Sequence, residues 1–327
     1  MEAPGAEGKG AAGQGRILVI RGGAIGDFIL TLPVLSALRE QFAQCRLEVI
    51  GYPHIAGLAL RGGLADAVRS IESRPLAEFF GRGAKLDAGW AEYFGGFALI
   101  ISYLYDPDEL FRANVQRCSK AQFIAGPHRP DELDPLHATE AFLRPLERLA
   151  IFGADPVPRL NVRLTLEADR DGLLGAMAAR RALALHPGSG SERKNWPESS
   201  WKQLLTRLVS ESDLHFLLVG GEAEGDRLRR LARVVPAERV SVAQNQALPL
   251  LAEQLAGCLG FVGHDSGISH LAAAVGLAGL SIWGGSKETI WRPRSERFRI
   301  VSSPEGLVGV TVDQVAGELN NLLAGTE

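Results

Sequence analysis

The feature that most constrains this chain is an alternation that occurs twice: short apolar runs, each followed by a stretch whose apolar positions recur at helical spacing. Strands alternating with helices can cover both faces of a parallel sheet, so the pattern predicts a doubly wound α/β architecture. In the first pass Ile17-Leu-Val-Ile20 reads as a strand, Leu35, Leu38 and Phe42 mark one face of a helix, and Leu47-Glu-Val-Ile50 is the next strand. Segments 97–101 and 122–125 continue that sheet, 138–152 reads as helical, and Asp155-Pro-Val-Pro158 reads as a linker. The second pass opens on Ala182-Leu-Ala-Leu185 and continues with a helix over 198–209, a strand over 214–219 and a helix over 224–234. Phe261-Val262 and Leu280-Ser-Ile-Trp283 add further strands. Thr311 and Gln314, in capping-box spacing, open a closing helix with Val315, Leu319 and Leu322 along one face.

A length of 327 residues is enough to bury a core in each of two domains, expected over 16–158 and 159–327. The closing helix has the option of packing back onto the first domain. Residues 1–15 are Gly/Ala-rich without the apolar centre of a signal peptide and read as a flexible tail. The net charge of -3 argues against a general nucleic-acid binder. Cys45, Cys118 and Cys258 are widely spaced and lack a CxxC or Cys/His ligand pattern, which fits reduced thiols in the cytoplasm. The apolar run at 99–104 is too short to span a bilayer. No clustered Cys/His ligand set stands at a strand end, so no metal is expected.

Chemistry concentrates where strands meet helices. Phe261-Val-Gly-His-Asp265-Ser266-Gly267-Ile-Ser-His270 crowds polar groups at such a turn: Asp265 or Ser266 can cap the helix, Gly267 lets a ligand near the backbone, and the free N–H groups suit a phosphate. The plainer reading is a capped helix with His270 packed beneath it. After the first strand, Gly23-Ala-Ile-Gly26-Asp27 lacks the G-x-G-x-x-G spacing, and the second strand ends at Ile50-Gly-Tyr-Pro53 without a ribose-binding acid. Asp27 would repel a pyrophosphate there and is better suited to proton chemistry, although it would also serve as a helix cap. The loop His186-Pro-Gly-Ser189-Gly-Ser191-Glu-Arg-Lys194-Asn-Trp196-Pro197 offers hydroxyls, backbone N–H groups and a mobile cation to a diphosphate, or is a solvated loop anchored by its tryptophan. Glu222, in Val219-Gly-Gly-Glu222, can accept from a ribose diol.

In this order, Gly26-Asp27 with Thr31-Leu-Pro33, His186-Pro-Gly with Lys194 and Trp196-Pro197, Gly220-Gly221-Glu222 and Asp265-Ser266-Gly267-Ile268-Ser269-His270 resemble glycosyltransferase family 9, the ADP-heptose:lipopolysaccharide heptosyltransferases. Serine stands at 266 where many members carry threonine, which keeps the hydroxyl. The resemblance implies a GT-B fold, two Rossmann-like domains facing a central cleft, and inverting transfer of heptose to a lipopolysaccharide inner-core acceptor. It further implies Asp27 as general base, Lys194 as a phosphate contact, Glu222 as a ribose contact, Asp265 near the donor sugar, and Ser266 and Gly267 receiving the diphosphate. Ser189, Ser191 and His270 complete the expected donor set, and the ADP-sugar is a substrate, so no cofactor is expected. An anionic glycolipid acceptor calls for a local basic face in the first domain. Segment 61–85 offers Arg61, Arg74 and Arg82 among apolar residues, either as an acceptor site touching the inner membrane or as an ordinary amphipathic helix. Three other readings stay open: a GT-B transferase using another nucleotide sugar in glycolipid or capsule synthesis, a nicotinamide-dependent oxidoreductase, which would need a dinucleotide fingerprint that this chain lacks, and a noncatalytic nucleotide-sugar-binding or scaffold protein.

Overall fold

A computed structural model describes residues 15–162 and 181–324. The expected tail over 1–15 lies, apart from Gly15, outside the described residues. The first sheet holds β1 (Arg16–Ile20), β2 (Arg46–Gly51), β3 (Ala67–Ser70), β4 (Leu99–Ser102) and β5 (Gln122–Ala125), all parallel, in the order β3-β2-β1-β4-β5. β1 sits at the centre, with Ile17 opposite Leu47 on one side and Leu99 on the other. Its apolar run is continuous because both faces are covered by helices, as parallel sheets require. α1 (Ile25–Ile29) and α2 (Leu32–Gln41) follow β1, with Pro33 in the first turn of α2, where its missing N–H has no partner to lose. α3 (Pro53–Arg61), α4 (Ala88–Gly95), α5 (Leu110–Cys118) and α6 (Ala138–Leu143) complete this half. The helix expected over 138–152 ends at Leu143 and continues as a 3-10 turn over Arg144–Leu149, where Pro145 removes an N–H from the helical ladder.

The second sheet orders β6 (Ala182–Leu185), β7 (His215–Gly220), β8 (Val240–Gln244), β9 (Gly260–His264), β10 (Gly279–Trp283) and β11 (Phe298–Ser302) as β11-β10-β9-β6-β7-β8, again all parallel. Around it lie α7 (Glu198–Glu211), α8 (Gly225–Ala232), α9 (Leu248–Ala256), α10 (Gly267–Ala274), α11 (Glu288–Trp291) and α12 (Val312–Ala324). The capping box of α12 forms as its spacing predicts: Thr311 N donates to Gln314 Oε1 at 2.9 Å and Gln314 N to Thr311 Oγ1 at 3.2 Å. The option of packing α12 back on the first domain is not taken. Val315, Ala316, Leu319 and Leu322 are buried with Leu204, Leu280 and Val301 of the second sheet and its helices, which already offer an apolar face wide enough for the helix. The chain returns to the first half through 287–294 instead: Lys287 Nζ donates to Glu132 O at 2.6 Å, His137 Nε2 lies 2.9 Å from Arg292 O, and Arg294 pairs with Glu140 at 2.7 Å.

One continuous apolar cluster joins the halves, taking Phe28, Ile55 and Leu58 from the first and Leu248, Leu251 and Leu271 from the second. At its edge the N-terminal ends of α1 and α10 meet. A Cβ on Gly267 would lie 2.7 Å from Ile25 Cβ and 2.9 Å from Gly26 N, so only glycine permits this approach. Gly267 therefore has a packing duty between the halves, besides any closeness to a ligand.

Candidate active site

In a doubly wound sheet, ligands bind beyond the carboxyl ends of the strands where the strand order reverses. That point lies between β6 and β9 in the second sheet and between β1 and β4 in the first. The loops after these strands carry the motifs singled out above, and α1 and α10 bring them face to face.

On the second-sheet side, His264 at the end of β9 sets the loop after β6. Its Nε2 accepts from Trp196 N at 2.8 Å, and its Nδ1 lies 3.1 Å from Gly188 O, so the neutral ring with the proton on Nδ1 satisfies both ends of the loop. Burial pushes the His264 pKa down to about 3, keeping that tautomer available. Trp196 Nε1 donates to Val310 O at 2.8 Å, so the tryptophan anchors the loop to the strap before α12. Ser189 Oγ lies 2.8 Å from Ser191 O and 2.7 Å from Asn195 Oδ1, which commits its proton to the loop itself. Lys194 Nζ lies 2.6 Å from Asp265 Oδ2 and 3.3 Å from Ser286 Oγ. The Ser286 hydroxyl also donates to Asp265, and Trp283 Nε1 holds Ser286 O at 2.8 Å. Ser266 caps α10, its Oγ accepting from Ser269 N at 3.4 Å, so the capping role is real, and the first N–H groups of α10 have no acceptor within the helix ladder.

Glu224 is the acid that the sequence did not single out. Its carboxylate accepts from Gly221 N at 3.0 Å and is buried, while Glu222 is exposed on the same wall. A Cβ on Gly188 would come within 2.2 Å of Glu224 Cγ, so the Pro187-Gly188 turn is shaped around this side chain. His186 is buried at the end of β6 with Nδ1 2.9 Å from Val219 O, and burial holds its pKa below the ordinary value.

On the first-sheet side, Asp27 does cap α1, its Oδ2 accepting from Ala24 N at 3.0 Å. The carboxylate nonetheless keeps 24% of its side-chain surface open. Beneath it the buried Arg21 reaches Asp27 O through Nε and Nη2 at 3.4 and 3.3 Å, and Nη2 lies 3.6 Å from Asp27 Oδ1. Gly23, with φ of +100, lets the turn fold over this carboxylate, since a Cβ there would lie 2.8 Å from Asp27 Oδ2.

Two adjoining cavities open between the halves. The larger, about 680 Å³, is lined mainly by apolar groups, including Ile25, Ile55, Val219, Leu248 and Leu251, with His54, Glu222, Glu224 and Asn245 at its polar edge. The smaller, about 380 Å³, shares Ala24, Gly26, Ser189, Ser266 and Gly267 with the first and adds Asp27, Arg129, Glu132, Lys194, Asp265, His270, Ser286 and Trp291. His270 is buried against Gly26, and burial pushes its pKa down to about 4, so it meets a ligand as a neutral ring and not as a cation.

Thus Asp27, Ser189, Lys194, Glu222, Asp265, Ser266, Gly267 and His270 converge on one cleft. Ser191 is exposed and lines neither cavity. The three expected acceptor-side arginines also stand apart from it. Arg61 pairs with the 2% exposed Glu253 of α9, Nε to Oε1 at 2.7 Å, and fastens α3 to α9 behind the larger cavity. Segment 61–85 is not an amphipathic helix: it breaks into β3 and a 3-10 turn, Arg74–Phe80, because Gly62, Gly63 and Pro75 interrupt any helical run, and Arg74 and Arg82 are exposed. Sequence reasoning missed Arg21, Arg129, Glu224, Asn245 and Ser286. It also overlooked a D-x-D spacing, Asp106-Pro-Asp108, in the loop after β4. There Asp106 accepts from Phe111 N and Arg112 N at 3.1 and 3.0 Å and serves as a helix cap. Among the described residues no group of three or more His, Cys, Asp or Glu is placed to hold a metal ion. No helix among them is long and apolar enough to cross a membrane.

The sequence profile of Glycosyltransferase family 9 (heptosyltransferase) matches residues 147–311, which take in the loop after β6, the turn after β7 and the start of α10. Lipopolysaccharide heptosyltransferase 1 of Pseudomonas aeruginosa is 34% identical over 116 residues, 36% of this chain and 32% of that protein. The chain therefore spans about a third of that relative's length in the match. Lipooligosaccharide heptosyltransferase 2 of Haemophilus influenzae is 22% identical over 348 residues, covering 94% of this chain and 99% of the relative. The solved structure of E. coli ADP-heptose lps heptosyltransferase II superposes with a TM-score of 0.75 at 16% identity, covering 95% of this chain and 99% of that one. That likeness shows the fold, two parallel-sheet α/β units of the GT-B type facing a cleft. With the profile running through the motif loops of the second sheet, and with those loops meeting Asp27 across one cleft, this chain belongs to glycosyltransferase family 9.

Proposed function

We propose that this protein is an inverting glycosyltransferase that moves heptose from ADP-heptose to a hydroxyl of an anionic lipopolysaccharide inner-core acceptor. The observation that carries the reading is the smaller cavity, where Asp27 from the first half meets Lys194, Asp265 and the start of α10 from the second, beside a larger apolar cavity with room for a nucleoside. In the reaction the acceptor oxygen attacks the anomeric carbon from the face opposite the diphosphate while its proton passes to Asp27. The bond from that carbon to the phosphate oxygen breaks, and its electron pair leaves with ADP. Lys194 and the N–H groups at the start of α10 receive that charge in this reading, which is supported by Lys194, Ser266 and Gly267 lining the smaller cavity with Asp27, and Ser189 lies at the junction of the two cavities. Glu222 and Glu224 line the larger cavity as acceptors for a ribose diol. The names of the relatives, heptosyltransferases of the lipopolysaccharide and lipooligosaccharide core, support the choice of sugar and acceptor class. The proposed setting is the cytoplasm, with Arg74 and Arg82, exposed on the segment that leaves β3, meeting an anionic inner-membrane surface.

Transfer from ADP-heptose to a heptose-free core acceptor, compared with ADP-glucose and UDP-sugars, tests the reading. Product should form fastest from ADP-heptose and should persist in excess chelator. Faster transfer from another nucleotide sugar would replace the donor, absence of transfer from every donor would leave a binding protein, and full dependence on one divalent cation would overturn the reaction as written.

A further inference from the structure

The acceptor half of the cleft has no matched motif, yet the fold points to its place. The order of the first sheet reverses between β1 and β4, so the loops after β1, β4 and β5 border one crevice. Asp27 lies in the first turn of α1, directly after the first of these, Tyr105 on the second, and His128 and Arg129 on the third. Tyr105 is 67% exposed, an unusual setting for so large a ring, and the His128 ring backs it at a centroid distance of 4.7 Å with the two planes tilted by 60°. The backbone that carries both rings is held from below. Tyr103 donates its hydroxyl to Phe142 O at 2.6 Å, and Asp106 caps α5 through Phe111 N and Arg112 N, which fixes the backbone on either side of Tyr105. Arg21 donates to His128 O at 2.8 Å from the same guanidinium that holds Asp27 O, so one buried cation ties this loop to the proposed base. Arg129 lines the cavity with Asp27, stands over the Trp291 ring at 5.7 Å, and meets its nearest carboxylate, Glu132, only at 4.0 Å.

We infer that Tyr105, backed by His128, forms a stacking platform for the acceptor's sugar ring, and that Arg129 binds a carboxylate or phosphate on that sugar; this rests on the glycosyl-transfer reading above. A pyranose presents C–H groups on its face and hydroxyls at its rim, so it can bury apolar area on the Tyr105 ring while its polar groups stay hydrated. A platform whose backbone is already held spends less entropy on binding. A guanidinium without a close partner has its fork free for a planar anion, which an exposed lysine would not orient. The platform replaces Arg61, Arg74 and Arg82 as the acceptor contact next to the reacting hydroxyl, and leaves the two exposed arginines facing the lipid end.

Calorimetric binding of the core acceptor, without donor, tests this independently of turnover. Tyr105→Ala and His128→Ala should each raise the acceptor Kd about three- to tenfold, the range of an aromatic contact, while Tyr105→Phe stays near wild type. Arg129→Gln should raise it about tenfold and flatten its salt dependence, and this loss should vanish with an acceptor stripped of phosphate if phosphate is the group bound, or persist if it is the carboxylate. The ADP Kd should not move in the Tyr105 and His128 variants. An unchanged acceptor Kd in Tyr105→Ala and His128→Ala overturns the inference, as does a wild-type protein that binds no acceptor. Acceptor binding that falls as described in a protein that transfers no sugar would refute the transferase reading and leave the platform standing.

Discussion

Removing the Lys194 ammonium should weaken ADP binding by more than the loss of one contact, because of what it leaves behind. Lys194 Nζ sits 2.6 Å from Asp265 Oδ2, with side-chain exposures of 37% and 9%. A charge-assisted contact to phosphate is worth roughly 1.5 to 3 kcal/mol, and an ammonium this open to water and salt belongs at the lower end, about tenfold in Kd. In Lys194→Ala the carboxylate of Asp265 stays, nearly buried, with only the Ser286 hydroxyl donating to it. A diphosphate brought against it then meets uncompensated like charge, and the total loss should approach a hundredfold, about 2.7 kcal/mol. Asp265→Asn removes the internal competitor for Lys194, so on its own it should leave ADP binding unchanged or tighter. The pair together should fall back toward the tenfold loss, a coupling of at least about 0.5 kcal/mol in the double-mutant cycle. Isothermal titration with ADP and with adenosine reads all four proteins. Adenosine should shift less than about twofold in each, because it carries no phosphate to contact. Equal losses for adenosine and ADP, or strict additivity of the two substitutions, would refute the reasoning and reduce the ion pair to a loop fastener.

Asp27→Asn should lower turnover by about 10² to 10⁴-fold with ADP affinity intact, since the amide oxygen can still accept from Ala24 N; wild-type turnover would return Asp27 to capping alone. Gly267→Ala places a methyl 2.7 Å from Ile25 Cβ and 2.9 Å from Gly26 N. That overlap, costing about 1–3 kcal/mol, is relieved most easily by parting the two halves. Transfer should therefore drop well over tenfold while Tm falls by a few degrees, and a Tm loss without a rate loss would contradict this. His186, His264 and His270 are held neutral by burial, the last two with pKa values near 3 and 4 against an ordinary 6.5. Below pH 6.5 the unfolded chain takes up protons that the folded one refuses, so stability should fall as pH drops toward 4, by up to about 1.4 kcal/mol per pH unit for each histidine. Urea midpoints at pH 7.5 and 5.5 check the sign, and a higher midpoint at 5.5 would refute it.

How much of this was legible in the sequence depended on how local the cause was. The interior strands β1, β2, β6, β7 and β10 show as apolar runs because helices cover both their faces. The edge strands β3, β8 and β11 were not read. Ala67-Val-Arg-Ser70 and Val240-Ser-Val-Ala-Gln244 are short and partly exposed, so neither an unbroken run nor a clean alternation marks them. The donor half of the site was legible for a similar reason: caps, glycine turns and strand ends write their needs into neighbouring positions, as Ser266 does for α10. Pairings across the fold leave no such mark. Asp265 reads as a helix-entrance acid until Lys194, 71 positions away, is found on its carboxylate, and Arg61 reads as an acceptor contact until Glu253, 192 positions away, neutralises it. Gly267 shows the same limit. A glycine after a cap suggests room for a ligand, and only the tertiary structure reveals that the room is filled by Ile25 and Gly26. The half proposed for the acceptor rests on such contacts, with Arg21 bonded to backbone carbonyls 107 and 6 positions away. Local motifs therefore mark the proposed nucleotide side first, and the basic residues of 61–85 stand out by composition while the Tyr105–His128 ring pair does not.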